Sequence, residues 1–310
     1  MPSEVDIALP RELADHKELM PSSLVFWCSV SGSVFLLAGL VLIRKELTQA
    51  SGLDKILVLG YVFEAAPLAV FGTEHLLASR SIMQIVPSWM PAPLFWTYFV
   101  GLALFAAAAS FIARRHLRWS ALLLAIMFFI FVLTMDVPGV IADAKHRLNW
   151  TLMLRETAFA GGPLALSGAM RRRDSVQISN VLIAIGRICV AIALIFYGFE
   201  HFAFPKNAPG VPLEKMTPNW VPAPESWAYA VGVVLLIAGA AMLFNWRTRT
   251  AAASVGAVMT ALTLFLYLPI FVQEWHTPLA LEGLNYVGDT LLFGGTVLLV
   301  GIAATARVTA

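Results

Sequence analysis

The sequence is poor in charge. Only 13% of its 310 residues are charged and 59% are hydrophobic, whereas soluble domains carry about 25% charged residues. The net charge of +2 comes without a basic patch, because the lysines and arginines occur in short clusters between apolar runs. The composition therefore argues against a soluble domain and against a nucleic-acid partner, and it predicts a protein embedded in the lipid bilayer.

Cysteine is also scarce. Cys28 and Cys189 each lie inside an apolar run, and no Cys-x-x-Cys spacing occurs, which argues against a thiol relay or a cysteine zinc site. Their predicted depths in the membrane differ by roughly 8 Å, and a disulfide needs Cα atoms within about 7 Å, so we predict two free thiols. The sequence lacks haem, dinucleotide, phosphate-loop and nucleophile-elbow motifs. Any redox chemistry would therefore need a bound quinone or a partner subunit.

The sequence is rich in long apolar runs. Nine of them can span the hydrocarbon core, for which about 20 residues suffice. The runs are continuous and rich in Leu and Ala, which indicates helices rather than the alternating strands of a barrel. The predicted fold is an all-α membrane protein of about nine transmembrane helices, at residues 24–43, 56–77, 94–113, 119–137, 152–169, 179–202, 226–244, 250–272 and 286–306.

The basic residues predict the orientation of the chain. One side of a nine-span thread holds twelve of them against eight on the other, and the positive-inside rule makes the richer side cytoplasmic. The N-terminus, which does not read as a cleavable signal, is then outside a bacterial cytoplasmic membrane and the C-terminus inside. The twelve are Arg44, Lys45, Lys55, Arg114, Arg115, Arg118, Arg171, Arg172, Arg173, Arg247, Arg249 and Arg307.

One stretch of the chain occurs twice. A Glu-His pair, at Glu74 and at Glu200, is followed each time by Trp-x-Pro-x-Pro, then Trp-x-Tyr and a glycine. The offset is 126 residues for Glu-His and 131 for the later landmarks, so five residues are inserted in the second loop. This internal duplication predicts two four-helix bundles related as parallel repeats. The predicted organisation is a polar outer tail at 1–23, an extra helix at 24–43, and repeats at 55–170 and 178–306.

The Trp-x-Pro-x-Pro segments lie in the outer loop that follows the first helix of each repeat. Their prolines cannot continue a helix, and their tryptophans suit the headgroup level of the bilayer. Two interpretations stay open: a stiff interfacial loop with an aromatic belt, or a lid over a polar site beneath it. The tryptophans, which we also take as candidate ligand-binding residues, are Trp89, Trp96, Trp220 and Trp227.

The chain resembles the DoxX-like family of bacterial membrane proteins. The resemblance rests on Pro67 to His75, then on Val86 to Pro91, and on Phe95 to Gly101, with a weaker second copy, and it covers roughly residues 56–306. It implies a four-helix unit and, for some members, association with quinone-linked sulfur oxidation or thiol-oxidative stress complexes. A quinone as cofactor and a soluble or membrane oxidoreductase as partner are thus implied. The paired cysteines expected of thiol chemistry are missing.

Ionisable residues inside the membrane are energetically costly, so each is expected to have a charge partner or a functional role. Glu64 and Arg187 lie on the leading helices of the two repeats, both roughly 12 Å above the cytoplasmic edge. We predict a structural ion pair between them, with a proton path as the alternative.

A second polar group converges at the outer edge. Three interpretations compete: a network that satisfies helix ends, a quinone-contact site in which Glu or His exchanges a proton, and a metal site. Neighbouring Glu and His diverge by about 100° on a helix, so we predict no metal. The candidate ligand-binding residues are Glu74, His75, Arg155, Glu156, His146 and His276, and the candidate catalytic residues are Glu200, His201 and Asp289.

The two copies differ in charge. Arg155 can neutralise Glu74 or Glu156, whereas repeat two has Gly288 where Arg155 would stand. We therefore expect repeat one to be structural and repeat two to carry proton-coupled chemistry. Replacing His201 by Gln should then leave folding intact and remove activity.

The function predicted from these patterns is a redox-associated membrane component that contacts a quinone, or a sulfur or thiol substrate, at the extracytoplasmic face. The alternatives are a non-catalytic scaffold or assembly subunit and a carrier of a small solute or lipid. Whether the chain is an enzyme stays open.

Overall fold

The computed structural model of the chain describes residues 21–171 and 175–305, and these residues form helices and loops without a strand. Residues 1–20 of the predicted tail, together with Arg172, Arg173 and Arg307, lie outside the described residues. The long helices are α1 Pro21–Gln49, α2 Asp54–Leu77, α3 Pro93–Ala113, α4 Leu117–Ala142, α5 Arg147–Met170, α6 Val176–Ala203, α7 Pro224–Leu243, α8 Thr248–Glu274 and α9 Ala280–Thr305.

Eight of these helices are long and apolar enough to cross a membrane, judged by length and composition. The ninth, α5, has 24 residues and so reaches roughly 36 Å, but it carries Arg147, Arg155 and Glu156. It lies between α4, α6 and α9, and a position among other helices is where a charged span is tolerated. The prediction of an all-α membrane protein with about nine helices is confirmed.

The two repeats, α2 to α5 and α6 to α9, interlock. The closing helix α5 packs against α6, the closing helix α9 packs against α2, and α5 and α9 pack against each other. Each repeat is therefore completed by the opening helix of the other. The extra helix α1 lies outside this arrangement, on α2, α3 and α9.

The duplication extends to irregular details of the backbone. A π-helical turn interrupts α4 at Val132–Asp136 and α8 at Thr263–Tyr267, which is the 131-residue offset again. The residue before α3 and the residue before α7, Ala92 and Ala223, are both left-handed, with φ of 53° and 48°. Such matched irregularities support descent of both repeats from one four-helix unit.

The Trp-x-Pro-x-Pro loops have the same construction in both repeats. Trp96 and Trp227 each donate the indole N–H to the carbonyl five residues earlier, at 2.9 and 3.1 Å. Trp89 and Trp220 are exposed on the surface. We call the end of the molecule that carries these loops the outer end, following the predicted orientation.

Glycines set the spacing at the centre of the molecule. A Cβ on Gly162 of α5 would lie 2.5 Å from the carbonyl oxygen of Thr296 on α9, and a Cβ on Gly295 would lie 2.6 Å from the backbone nitrogen of Glu64 on α2. Only glycine permits these approaches. The thiols of Cys28 and Cys189 are free, as predicted.

Candidate functional site

A buried guanidinium joins the outer ends of the two repeats. Nη1 of Arg155 on α5 donates to Oδ2 of Asp289 on α9 at 2.7 Å, and Nη2 lies 3.6 Å from Oε1 of Glu156. The Arg155 side chain is only 17% exposed. The prediction that Asp289 lacks an arginine is wrong, because α5 packs against α9 of the other repeat.

A second arginine of α5 serves repeat two in the same way. Nη1 of Arg147 lies 2.9 Å from Oε2 of Glu200 on α6 and 3.2 Å from the carbonyl oxygen of Leu213. Arg147 precedes Arg155 by two helical turns, roughly 12 Å nearer the outer surface. Both candidate acids of repeat two thus have an arginine partner, supplied by repeat one.

Carboxyl groups outnumber the guanidinium around Arg155. Asp136, in the π-helical turn of α4, lies within interaction range of Glu156 and Arg155, and its buried Oδ2 has no hydrogen-bond partner among the described residues. Two carboxyl groups that share a buried site repel each other when both are ionised, so their proximity favours a proton on one of them. π-helical turns are frequent at functional sites. We define the acid–arginine cluster as Glu74, Asp136, Arg155, Glu156 and Asp289.

Among the described residues, Glu74 is a member of the cluster that forms no ion pair with an arginine. It projects from α2 towards the side-chain amide of Asn285 on α9 and lies within electrostatic range of Asp289. Of the two acids predicted as partners of Arg155, the guanidinium contacts Glu156, and its shortest contact is with Asp289. In the described part of the chain Glu74 therefore relies on an amide.

The loop between α6 and α7 turns into the protein. Its residues 207–213 are buried, and we call them the plug. A bridge between Asn207 and Met216 closes its base, where the amide of Ala208 donates to the carbonyl of Lys215 at 2.7 Å. The plug lies in the loop that carries the five-residue insertion, upstream of the Trp-x-Pro-x-Pro segment.

The walls around the plug bind its backbone. The amide of Gly210 donates to Nε2 of His201 on α6 at 3.0 Å. Tyr267, in the π-helical turn of α8, donates its hydroxyl to a plug carbonyl at 3.1 Å, and Thr290 of α9 does the same at 3.0 Å. The plug therefore fills the outer end of repeat two with satisfied backbone groups.

His201 is a structural residue. Its Nδ1 lies 2.6 Å from the carbonyl oxygen of Tyr197 and its Nε2 accepts from Gly210. A carbonyl requires a donor, so the proton is on Nδ1 and both nitrogens of a neutral ring are engaged. The side chain is fully buried. The structure therefore argues against the catalytic role predicted for His201.

His75, the counterpart in repeat one, is bound on one side only. Its Nδ1 lies 2.8 Å from the carbonyl oxygen of Phe71, four residues earlier. The following loop of repeat one begins with the short helix Ser79–Ile82, and no backbone donor in the described residues reaches Nε2 of His75. Repeat one thus keeps a free acceptor where repeat two has its plug.

The base of the plug carries two charged residues. Thr151 of α5 donates to Oε1 of Glu214 at 3.1 Å. Burial raises the pKa of the Glu214 carboxyl, although the Thr151 bond and the nearby arginines of α5 oppose this shift. Lys215 forms ion pairs with Glu274 and Glu282, with Nζ–O distances of 2.6 and 3.4 Å. These contacts fasten the plug to α5, α8 and α9.

The structure gives Glu64 and Arg187, between which the sequence predicts an ion pair, other hydrogen-bond partners. Oε2 of Glu64 accepts from Oγ1 of Thr296 at 3.1 Å, and Arg187 donates to the carbonyl groups of Met242 and Leu243. Within the described residues the two charges thus have different partners, because α2 packs against α9 while α6 packs against α5 and α7.

The remaining predicted residues lie at the surface. His146 and His276 are exposed in outer loops, and Trp89, Trp220 and Trp227 are exposed as well, with Trp96 half-buried. Among the described residues no group of three or more His, Cys, Asp and Glu is placed to hold a metal ion.

An apolar cavity of about 390 Å³ lies between α1, α2, α8 and α9. Val70 lines it one helical turn below Glu74, and Gly288 lines it next to Asp289, so its outer end adjoins the acid–arginine cluster. Its volume is in the range of ligand pockets, about 300–1,000 Å³. The lining also includes Ser33, Leu36, Phe63, Ala66, Thr263, Phe271, Leu284 and Val287.

Sequence reasoning missed Arg147, Asn285 and the plug as parts of this region. The plug had a signal, the five-residue insertion between His201 and Trp220, but an insertion does not show whether a loop turns inward. Arg147 gave none, because it reads as an ordinary loop residue at a helix start.

Two family models match the chain, one in each repeat. The DoxX model matches residues 182–268, from α6 through the π-helical turn of α8. A model described as a domain of unknown function, DUF8561, matches residues 64–167, from α2 to α5. No curated protein and no solved structure gives a significant match. The DoxX match supports the resemblance found in the sequence and places it in the second repeat.

Proposed function

We propose that this DoxX-like membrane protein is a redox-associated component that contacts a quinone near the extracytoplasmic face of a bacterial cytoplasmic membrane. The acid–arginine cluster exchanges the proton that accompanies quinone reduction or quinol oxidation. The observation that carries the proposal is the surplus of carboxyl groups around Arg155, which forms ion pairs with Glu156 and Asp289 while Asp136 lies within interaction range of both Arg155 and Glu156.

Charge balance supports proton exchange at this place. Four carboxyl groups and one guanidinium make up the cluster, and burying several unpaired charges at the hydrocarbon boundary is costly. The cluster therefore holds protons, and a ligand that releases or takes up a proton changes this balance directly. A positioned carboxyl group is a usual proton donor or acceptor in such chemistry.

The apolar cavity supports a lipid-soluble ligand. Reduction of a quinone takes two electrons and two protons, and the cluster supplies only protons. The electrons would come from a thiol or sulfur substrate through an oxidoreductase partner, as the family resemblance implies. Proton exchange and ligand contact are thus assigned to this chain, and electron delivery to the partner.

The proposal is tested by ligand content and binding. Protein purified in mild detergent should contain a quinone detectable by mass spectrometry, and a short-chain quinol should bind with an affinity that depends on pH. Glu156→Gln removes the exchangeable proton while keeping the side-chain shape, so it should weaken quinol binding about tenfold and flatten its pH dependence. Glu225→Gln, in the first turn of α7, is the matched control and should behave like the wild type.

Absence of quinone from the extract together with no saturable quinol binding would overturn the proposal. Co-purification of a soluble oxidoreductase without quinone would favour a scaffold instead.

A further inference from the structure

We propose that the apolar cavity between α1, α2, α8 and α9 holds the hydrocarbon chain of an amphiphilic ligand whose head group donates an O–H or N–H bond to Glu74. The site itself follows from the cavity and from Glu74. Only the identification of the head as a quinol rests on the function proposed above.

The cavity has the shape of a chain site at membrane depth. Its volume is about 390 Å³, and its four walls are helices long and apolar enough to span a bilayer. The lining is almost entirely hydrocarbon, with the hydroxyl groups of a few Ser and Thr residues as the exceptions. An apolar pocket with few polar groups at one end is the usual form of a site for a lipid-soluble molecule.

Glu74 does not itself line the cavity, but it is the acid that we assign to the polar end of this site. It lies four residues after Val70, on the same face of α2, and therefore about 6 Å further out. Cys28 of α1 is within electrostatic range of Glu74, which places Glu74 where α1 covers α2. Its neighbour from α9 is the amide of Asn285. A carboxyl group with an amide and no arginine is best satisfied by a further hydrogen-bond donor.

The extra helix α1 forms one wall of the site. It packs on α2 and α9 and contributes Ser33 and Leu36 to the lining. The residues of α6 that correspond at the 126-residue offset to Leu59 and Ala66 of the lining are Ile185 and Ile192, and these are exposed. On repeat one a helix therefore covers part of this groove, whereas the equivalent positions of repeat two are exposed.

Photolabelling tests the chain site directly. The probes are three amphiphiles with the same 16-carbon chain bearing a diazirine, and with an amine, an alcohol or a carboxylate head. In the wild type the amine and the alcohol should label peptides of α1 and α9 at least about fivefold more than the carboxylate, because Glu74 repels an anion. Glu74→Gln should remove this preference between head groups.

Variants that fill the cavity provide the second measurement. Ser33→Phe and Ala66→Phe add a ring from α1 and from α2, and each should lower labelling at least about fivefold, the loss expected when a chain is excluded from its pocket. Val34→Phe is the matched control, since Val34 is 55% exposed and is not part of the lining. Undiminished labelling in both filled variants, or equal labelling by the carboxylate probe, would overturn the inference.

Quinol analogues with methyl and decyl tails separate this inference from the function proposed above. Stronger binding of the decyl form that disappears in Ser33→Phe supports both. Quinol binding that does not depend on tail length refutes the chain site and leaves the proposed function standing. Photolabelling of α1 and α9 without any quinol binding supports the chain site and refutes the quinone.

Discussion

Repeat two closes its outer end with backbone, whereas repeat one fills the corresponding region with carboxyl groups. In repeat two the plug saturates His201, and Tyr267 and Thr290 bind plug carbonyls. In repeat one His75 has no plug to bind, and the residue equivalent to Tyr267 by the 131-residue offset is Asp136, which faces Glu156. The two ends thus share a scaffold and differ in what occupies it.

This difference reverses the division of roles expected from the arginine count. Repeat two seemed to lack a cation, but α5 supplies Arg147 to Glu200 and Arg155 to Asp289. Among the described residues of the cluster, Glu74 and Asp136 of repeat one form no ion pair with an arginine. A duplicated membrane unit can therefore use one copy to hold the structure and free the other to contact ligand, and the partner of a charge need not lie in its own repeat.

Removal of Arg155 should have the largest effect on this comparison, because the residue joins both outer ends. Arg155→Ala leaves Asp289 and Glu156 buried without a cation, and stranding a buried charge typically costs about 3–5 kcal/mol. We expect a large loss of monodisperse protein in detergent and a strongly lowered Tm.

The control for this prediction is Arg155→Lys, which keeps the charge but loses the fork geometry and should recover part of the yield. Normal yield and Tm in Arg155→Ala would show that the salt bridges contribute little and that the repeats are held together by helix packing alone.

The two equivalent histidines, His75 and His201, should differ in how much they contribute to stability. His201→Ala strands the carbonyl of Tyr197 and the amide of Gly210, and each unsatisfied buried group costs roughly 1–3 kcal/mol. His75→Ala strands only the carbonyl of Phe71 in a partly exposed setting. His201→Ala should therefore lower the Tm more than His75→Ala and should open residues 207–213 to limited proteolysis. An equal loss in both variants would contradict the structural role assigned to the plug.

Much of the fold follows from local sequence patterns. Run length gave the nine helices, and the 126- and 131-residue offsets gave the duplication, because both depend only on residues near each other in the chain. The packing of α5 against α6 and α9 depends on which apolar faces meet, and apolar runs without a polar face do not encode that choice. The sequence therefore foresaw Glu156 but not Asp289 as a partner of Arg155, and it did not foresee the bond between Glu64 and Thr296.

The smallest expected effect concerns pH and the base of the plug. Burial raises the pKa of Glu214 above its ordinary value of 4.5, so the folded protein holds this proton more tightly than the unfolded chain does. Stability from Glu214 is then highest at low pH and falls as pH rises from about 4.5 through the raised pKa, after which it is constant. The Tm difference between the wild type and Glu214→Gln should follow this course.

The sign of that difference discriminates between two views of the plug. If the Thr151 bond and the arginines of α5 dominated, the folded protein would favour ionised Glu214, and stability would rise with pH over the same window. Burial is the largest influence on the pKa of Glu214. The Glu214→Gln variant should therefore become more stable relative to the wild type above that window. Glu225→Gln, outside the plug, should show no such course. Since Glu214 is only partly buried, solvent screening keeps the effect small, and it should be smaller than that of either histidine variant.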